Sequence, residues 1–205
     1  MDVFGTGMKV VGITGSVGKS TTKEALKALI VDLLNFATAH QVYMSYNVEN
    51  PANWDLTDDQ KALAGTHELN CLNQQTMSGT NNGAAFKGAT LTLSDAVIVR
   101  YTVECADLTD DVTLNISVGG KSYEIPASEF IPTGTANRYY VNFKNLYARQ
   151  MREVITSVVC RNGEPISQTA TYSVDTFVSK QTKENVLALC TAMMYYGDAA
   201  KAYLG

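Results

Sequence analysis

The chain has 205 residues and a formal net charge of −4 at pH 7. Hydrophobic residues at 45% and charged residues at 18% supply a buried core and exclude wholesale disorder. No run approaches the roughly 18 uninterrupted apolar residues of a membrane span, and the acidic balance argues against a nucleic-acid-binding face.

In chain order, the β-prone run Lys9–Thr14 opens the fold, and a glycine-bearing turn from Gly15 to Ser20 leads into a helix. Thr21 followed by Glu24 is a capping box. Leu26, Leu29, Ile30, Leu33, Ala37 and His40 then recur at helical spacing, which predicts one inward apolar stripe. The helix is expected to stop near Tyr46, since Asn50-Pro51 disfavours helix. A short helix capped by Thr57 is predicted over 58–64, and the polar stretch 65–83 reads as a long loop.

From Gly88 the period becomes two. Val97, Val99, Tyr101, Val103 and Cys105 alternate with their neighbours, as do Val112, Leu114, Ile116 and Val118. Gly119-Gly120 marks a tight hairpin, and Tyr139, Val141 and Phe143 a further strand. Strands are also expected at Val154–Cys160 and Ile166–Val174, joined through Asn162-Gly163, before a closing helix from about Lys183 to Tyr203. Six or seven short strands at this spacing predict an α+β fold: an Ig-like antiparallel β-sandwich with one long helix from each end of the chain. The organisation expected is one module over 1–205. It comprises strand–turn–helix at 9–46, a short helix and polar loop at 47–87, the sandwich at 88–176 and a helix at 180–204.

The two long helices are related. Laid over one another without a gap, they align Thr22-Lys23-Glu24 with Thr182-Lys183-Glu184, Ala28-Leu29 with Ala188-Leu189, and Ala39 and Tyr43 with Ala199 and Tyr203. That is seven identities over the 24 pairs from 22/182 to 45/205, against roughly one or two for unrelated sequences of this composition, and it points to an internal repeat. Each helix must therefore bury its stripe on the other helix or on a sheet face.

Scarcities limit the chemistry. His40 and His67 are the only histidines, which excludes a multi-histidine metal site and disfavours a histidine triad. Cys71, Cys105, Cys160 and Cys190 are spread widely along the chain, so zinc-ribbon and CxxC spacings are absent. The even count permits disulfides, but Cys105, Cys160 and Cys190 fall on apolar faces that suit free thiols. No cofactor is implied.

Met194-Tyr195-Tyr196-Gly197-Asp198-Ala199-Ala200-Lys201-Ala202-Tyr203, with the "LTDDQKALA" run at 56–64, resembles modules in multidomain surface proteins of gut-dwelling Gram-positive anaerobes, including cellulosome-type proteins. The first helix departs from that pattern, with Ala37 in the glycine place and His40 in the second-alanine place. The resemblance covers about 25–205. It implies an extracellular or cell-surface module, without catalysis, for adhesion, glycan binding or domain spacing. Its partners would then be polysaccharide, other surface proteins or neighbouring domains, with no nucleic acid and no membrane insertion. No secretion leader is recognisable at Met1–Gly5, which leaves a cytoplasmic protein as the alternative.

Val10–Thr21 resembles instead the nucleotide loop of the Mur ligases, with Gly15, Gly18, Lys19 and Ser20 as phosphate-binding candidates. Ile13 stands where the strict pattern has its first glycine, and a mostly antiparallel chain of this length lacks the parallel sheet such an active site needs. The turn is read as a helix entry, with ATP or phosphate binding as the alternative function and a purely structural spacer as a third. Candidate glycan contacts are Trp54, an aromatic in a polar turn, and Tyr140, on the opposite strand face from Tyr139 and Val141. His40 is expected to be a hydrogen-bonded core or interface residue.

Overall fold

The structure is a computed structural model that describes residues 19–43, 69–93 and 96–204. The expected strand at 9–14, the turn at 14–18 and the short helix at 58–64 lie outside the described residues. Helix α1 runs Lys19–Tyr43, α2 Val174–Ser179 and α3 Glu184–Leu204. Strands follow in the order β1 (Thr76–Ser78), β2 (Ala84–Leu93), β3 (Val97–Cys105), β4 (Val112–Val118) and β5 (Lys121–Pro126). The rest are β6 (Ile131–Pro132), β7 (Arg138–Phe143), β8 (Ile155–Arg161), β9 (Glu164–Pro165) and β10 (Thr169–Tyr172).

These strands make two antiparallel sheets, one ordered β1-β10-β8-β4-β5 with β9 beside β8, the other β2-β3-β7-β6. The alternating residues of both meet face to face. Val99, Tyr101, Val103, Leu114, Val141, Ile155 and Val159 have no solvent exposure. The Tyr101 hydroxyl, buried from one sheet, is satisfied by the Ser157 hydroxyl of the other at 2.8 Å, as a buried polar group requires. Both hairpins read from the sequence are present. Gly119 and Gly120 have φ of +58° and +71°, and Asn162 and Gly163 have +51° and +82°, the twist that closes a two-residue turn between right-twisted strands.

The α+β sandwich with a helix from each end is therefore observed, with corrections of detail. Ten strands among the described residues replace six or seven, because two-residue pairings such as β6 and β9 show no periodicity. The sandwich begins with β1 at Thr76 rather than at 88. The supposed loop 65–83 contains β1, an edge strand whose Thr76 pairs with Thr171 by backbone and hydroxyl contacts. The run read as one strand from Ile166 to Val174 breaks. β10 ends at Tyr172 and Val174 opens α2, because the Ser173 hydroxyl accepts the Thr176 amide as a helix cap.

The helix pair covers one end of the sandwich. Leu93, Ala96 and Val97 of the β2–β3 connection meet Phe36 and Leu189, and Ala148 and Tyr147, before β8, meet Leu29 and Ala200. Leu29 lies beside Ala200 and Leu204 while His40 lies beside Leu189, so α1 and α3 run antiparallel. Phe36 stacks on Tyr196, its own counterpart in the repeat, at 5.9 Å and 5°. The α1 stripe read from the sequence is only partly inward: Leu26, Leu29, Ala37 and His40 are half-buried. Val31 and Asp32 are buried at 6% and 0% exposure, whereas Ile30, Leu33 and Leu34 are exposed.

Candidate functional site

Two regions carry ordered polar chemistry. One is the outer face of the four-stranded sheet. Alternation on β3 and β7 sends Arg100, Thr102 and Glu104 outward beside Asn142, Tyr140 and Arg138 in that register. Tyr140 is exposed, as its strand position predicts, with Val141 fully buried behind it. The Arg100 guanidinium lies 5.1 Å from the Tyr140 ring centroid, and its Nε donates to Asn142 Oδ1 at 3.0 Å. Cation–π stacking and a hydrogen bond together fix a long side chain that would otherwise roam. Farther along the strand, Glu104 accepts from Lys87 at 2.9 Å and Arg138 at 3.0 Å. Those two cations, Lys87 first, hold its carboxyl below the usual carboxylate range. At this end of the sandwich, opposite the helices, a shallow recess of about 460 Å³ opens between Asn81, Glu104 and Asn137.

The second region is where α3 seats on the segment before β8. Arg152 Nε and Nη2 grip Asp198 at 2.6 and 2.7 Å, while Nη1 reaches Asp175 at 3.1 Å. This bidentate fork ties α3, α2 and the β8 approach together. Burial raises the Asp175 carboxyl above its usual range, against the lowering pull of Arg152. Arg152, held chiefly by Asp198, stays cationic. Next to the fork, Gly197 lets α3 approach so closely that a Cβ there would stand 2.7 Å from Met151 Cγ and 2.9 Å from the Ala148 carbonyl oxygen. Ala199 and Ala200 are buried on the same helix. The Tyr-Gly-Asp-Ala-Ala run that carries the sequence resemblance is thus a docking motif, each residue fitted to a packing task.

Of the sequence candidates, Tyr140 alone lies fully within the described residues. Trp54, Gly15 and Gly18 lie outside them, and Lys19 and Ser20 enter only as the backbone opening α1. His40 packs beside Phe36 at 6.4 Å, and its Nε2 has no hydrogen-bond partner among the described residues, so the expected hydrogen bond is not found. Asp111 serves the β3–β4 loop, where it accepts from the Thr109 hydroxyl and from Asn162. All four cysteines are free thiols. Among the described residues no His, Cys, Asp and Glu cluster suits a metal ion, and no helix is long and apolar enough to cross a membrane.

The sequence reading missed Arg100, Asn142, Arg152 and Asp198. A glycine inside a helical pattern, costing roughly 1 kcal/mol relative to alanine, was the available signal for close packing at Gly197. No family model, curated protein or solved structure matches the chain.

Proposed function

We propose that the chain is a non-catalytic extracellular or cell-surface module that contacts glycan through the outer face of its four-stranded sheet. The observation that carries this reading is the Arg100–Tyr140–Asn142 group: an exposed aromatic ring beside a guanidinium that is already immobilised. Sugars are bound by apolar ring faces with a few fixed polar donors, and preorganised side chains lose less entropy on binding. The resemblance of the Gly197 motif to modules of surface proteins supports the same assignment.

A glycan array followed by titration of the best ligand tests it. Tyr140→Ala should weaken binding up to about tenfold, the worth of roughly 1.4 kcal/mol of aromatic contact, and Tyr140→Phe should retain most of it. Equal binding by Tyr140→Ala and Arg100→Gln would remove this face from the function. Binding of Mg-ATP that Lys19→Ala abolishes would instead establish the nucleotide reading of residues 14–21.

A further inference from the structure

The internal repeat can be compared with burial position by position. On α3, Cys190, Met193 and Met194 have no exposure because they fill the end of the sandwich. Their counterparts on α1 in the repeat alignment are Ile30, Leu33 and Leu34, exposed by 49%, 43% and 42%. The other stripe does match. Val31, Asp32 and Asn35 of α1 correspond to Thr191, Ala192 and Tyr195 of α3; Val31 and Asp32 are buried, and Asn35 lines one recess with all three α3 residues. The two helices share a seam, and Phe36 of α1 packs against the sandwich core, yet among the described residues the sandwich end encloses Cys190, Met193 and Met194 of α3 and leaves Ile30, Leu33 and Leu34 of α1 exposed.

We infer that the Ile30–Leu33–Leu34 face of α1 is the seat of a second β-sandwich of this kind, joined ahead of α1 in a longer form of the polypeptide. The order repeats what this chain itself shows, sandwich first and helix after. The seat is continuous with an established interface, since Leu33 borders the same recess as Phe36 and Leu189 at the seam. Three half-exposed aliphatic side chains fall well short of the roughly 800 Å² per partner of a stable free complex, whereas a tethered partner needs far less. A second copy of this chain is a poor occupant, because its sandwich end is already filled by its own α3. The replacements on α1 describe the sandwich that fits. Ala37 in place of Gly197 requires room for one methyl where Met151 and the Ala148 carbonyl stand here. Thr38 in place of Asp198 dispenses with a partner for Arg152. This inference extends the reading of the chain as a module among neighbours, and it stands or falls without any glycan bound.

The test joins residues 69–181 directly ahead of Thr22 in residues 22–205, so that Thr22 takes the place of Thr182, with and without Ala37→Gly. In at least the Ala37→Gly form the added sandwich should resist trypsin and unfold cooperatively. Introducing Leu33→Glu with Leu34→Glu should then release the added part to digestion and leave the remainder at its own Tm. Trimming of both forms back to the 22–205 portion would overturn the proposal. So would a loss of Tm in the parent chain from Leu33→Glu/Leu34→Glu as large as that from Met193→Glu/Met194→Glu, since the stripe would then be core already. A parent dimer by sedimentation equilibrium that the same pair dissolves would assign the seat to a second copy, and would overturn it too.

Discussion

Replacing Gly197 with alanine sets helix propensity against packing, and the geometry decides the sign. In an exposed helix interior the change should stabilise by about 1 kcal/mol. Here the new Cβ would lie 2.7 Å from Met151 Cγ, 3.0 Å from Met151 Cβ and 2.9 Å from the Ala148 carbonyl oxygen. Met151 is 4% exposed, so its side chain has no solvent into which to swing, and Ala148 contributes backbone. Helix α3 must therefore lift outward, which stretches the Arg152–Asp198 fork as well. Overpacking of this kind costs about 1–3 kcal/mol. With the fork weakened and the propensity gain subtracted, the net loss is about 1–2 kcal/mol. At roughly 2–4 °C per kcal/mol for a domain of this size, Tm should fall by about 2–8 °C. Circular dichroism melts and urea unfolding measure it, with Ala188→Gly on the same helix calibrating the propensity contribution. A Gly197→Ala protein melting at or above the parent would refute the close-approach argument.

Truncation after Lys180 removes Leu189, Cys190, Met193 and Met194, each at 0–1% exposure. At about 1.5–3 kcal/mol per large buried side chain this rivals the roughly 5–15 kcal/mol stability of a whole domain, so no cooperative melt should remain; a sharp two-state transition would contradict it. Arg152→Met should cost about 2–3 kcal/mol by urea unfolding, because Asp175 loses its cation at 6% side-chain exposure, and less than the roughly 3–5 kcal/mol of a fully buried pair, because Arg152 and Asp198 are only partly buried. The Asp175 carboxyl is raised in the folded state, so its stabilising contribution is complete below its unfolded pKa and fades as pH rises through the folded one. Loss of Arg152 raises it further, and the variant's deficit should therefore shrink between pH 7 and pH 4; a deficit that grows on acidification would count against this. Burial pushes the Cys71 thiol up to about 11 and Cys190 to about 12, so at pH 8 the native protein should react slowly with Ellman's reagent while guanidinium releases four thiols; a rapid native burst would show otherwise.

The strands were legible where burial imposes a period of two. Residues 97–105 and 112–118 alternate because one side of each strand faces the other sheet. Paired glycines and Asn162-Gly163 were legible because positive φ restricts which residues stand there. The edge strand β1 and the break at Ser173 were not. Thr76–Ser78 is exposed at every position and so carries no pattern, and Ser173 acts as a cap only because Thr176 lies in the helix that follows. Tyr140 could be read as outward-facing, but the arginine that immobilises it comes from a strand much earlier in the chain, and only pairing brings Arg100 and Asn142 to adjacent positions.

Local chemistry written into the sequence determined the fold class, the hairpins and the free thiols on apolar faces. Periodicity, turn residues and repeat identities are properties of neighbours along the chain. The tertiary structure decided which stripe of each helix is buried. Leu33 and Met193 occupy equivalent positions in similar apolar patterns, yet one is 43% exposed and the other fully enclosed. Hydrophobicity fixes how strongly a side chain leaves water, but not which surface receives it. That depends on which face of each helix the sandwich end, among the described residues, encloses.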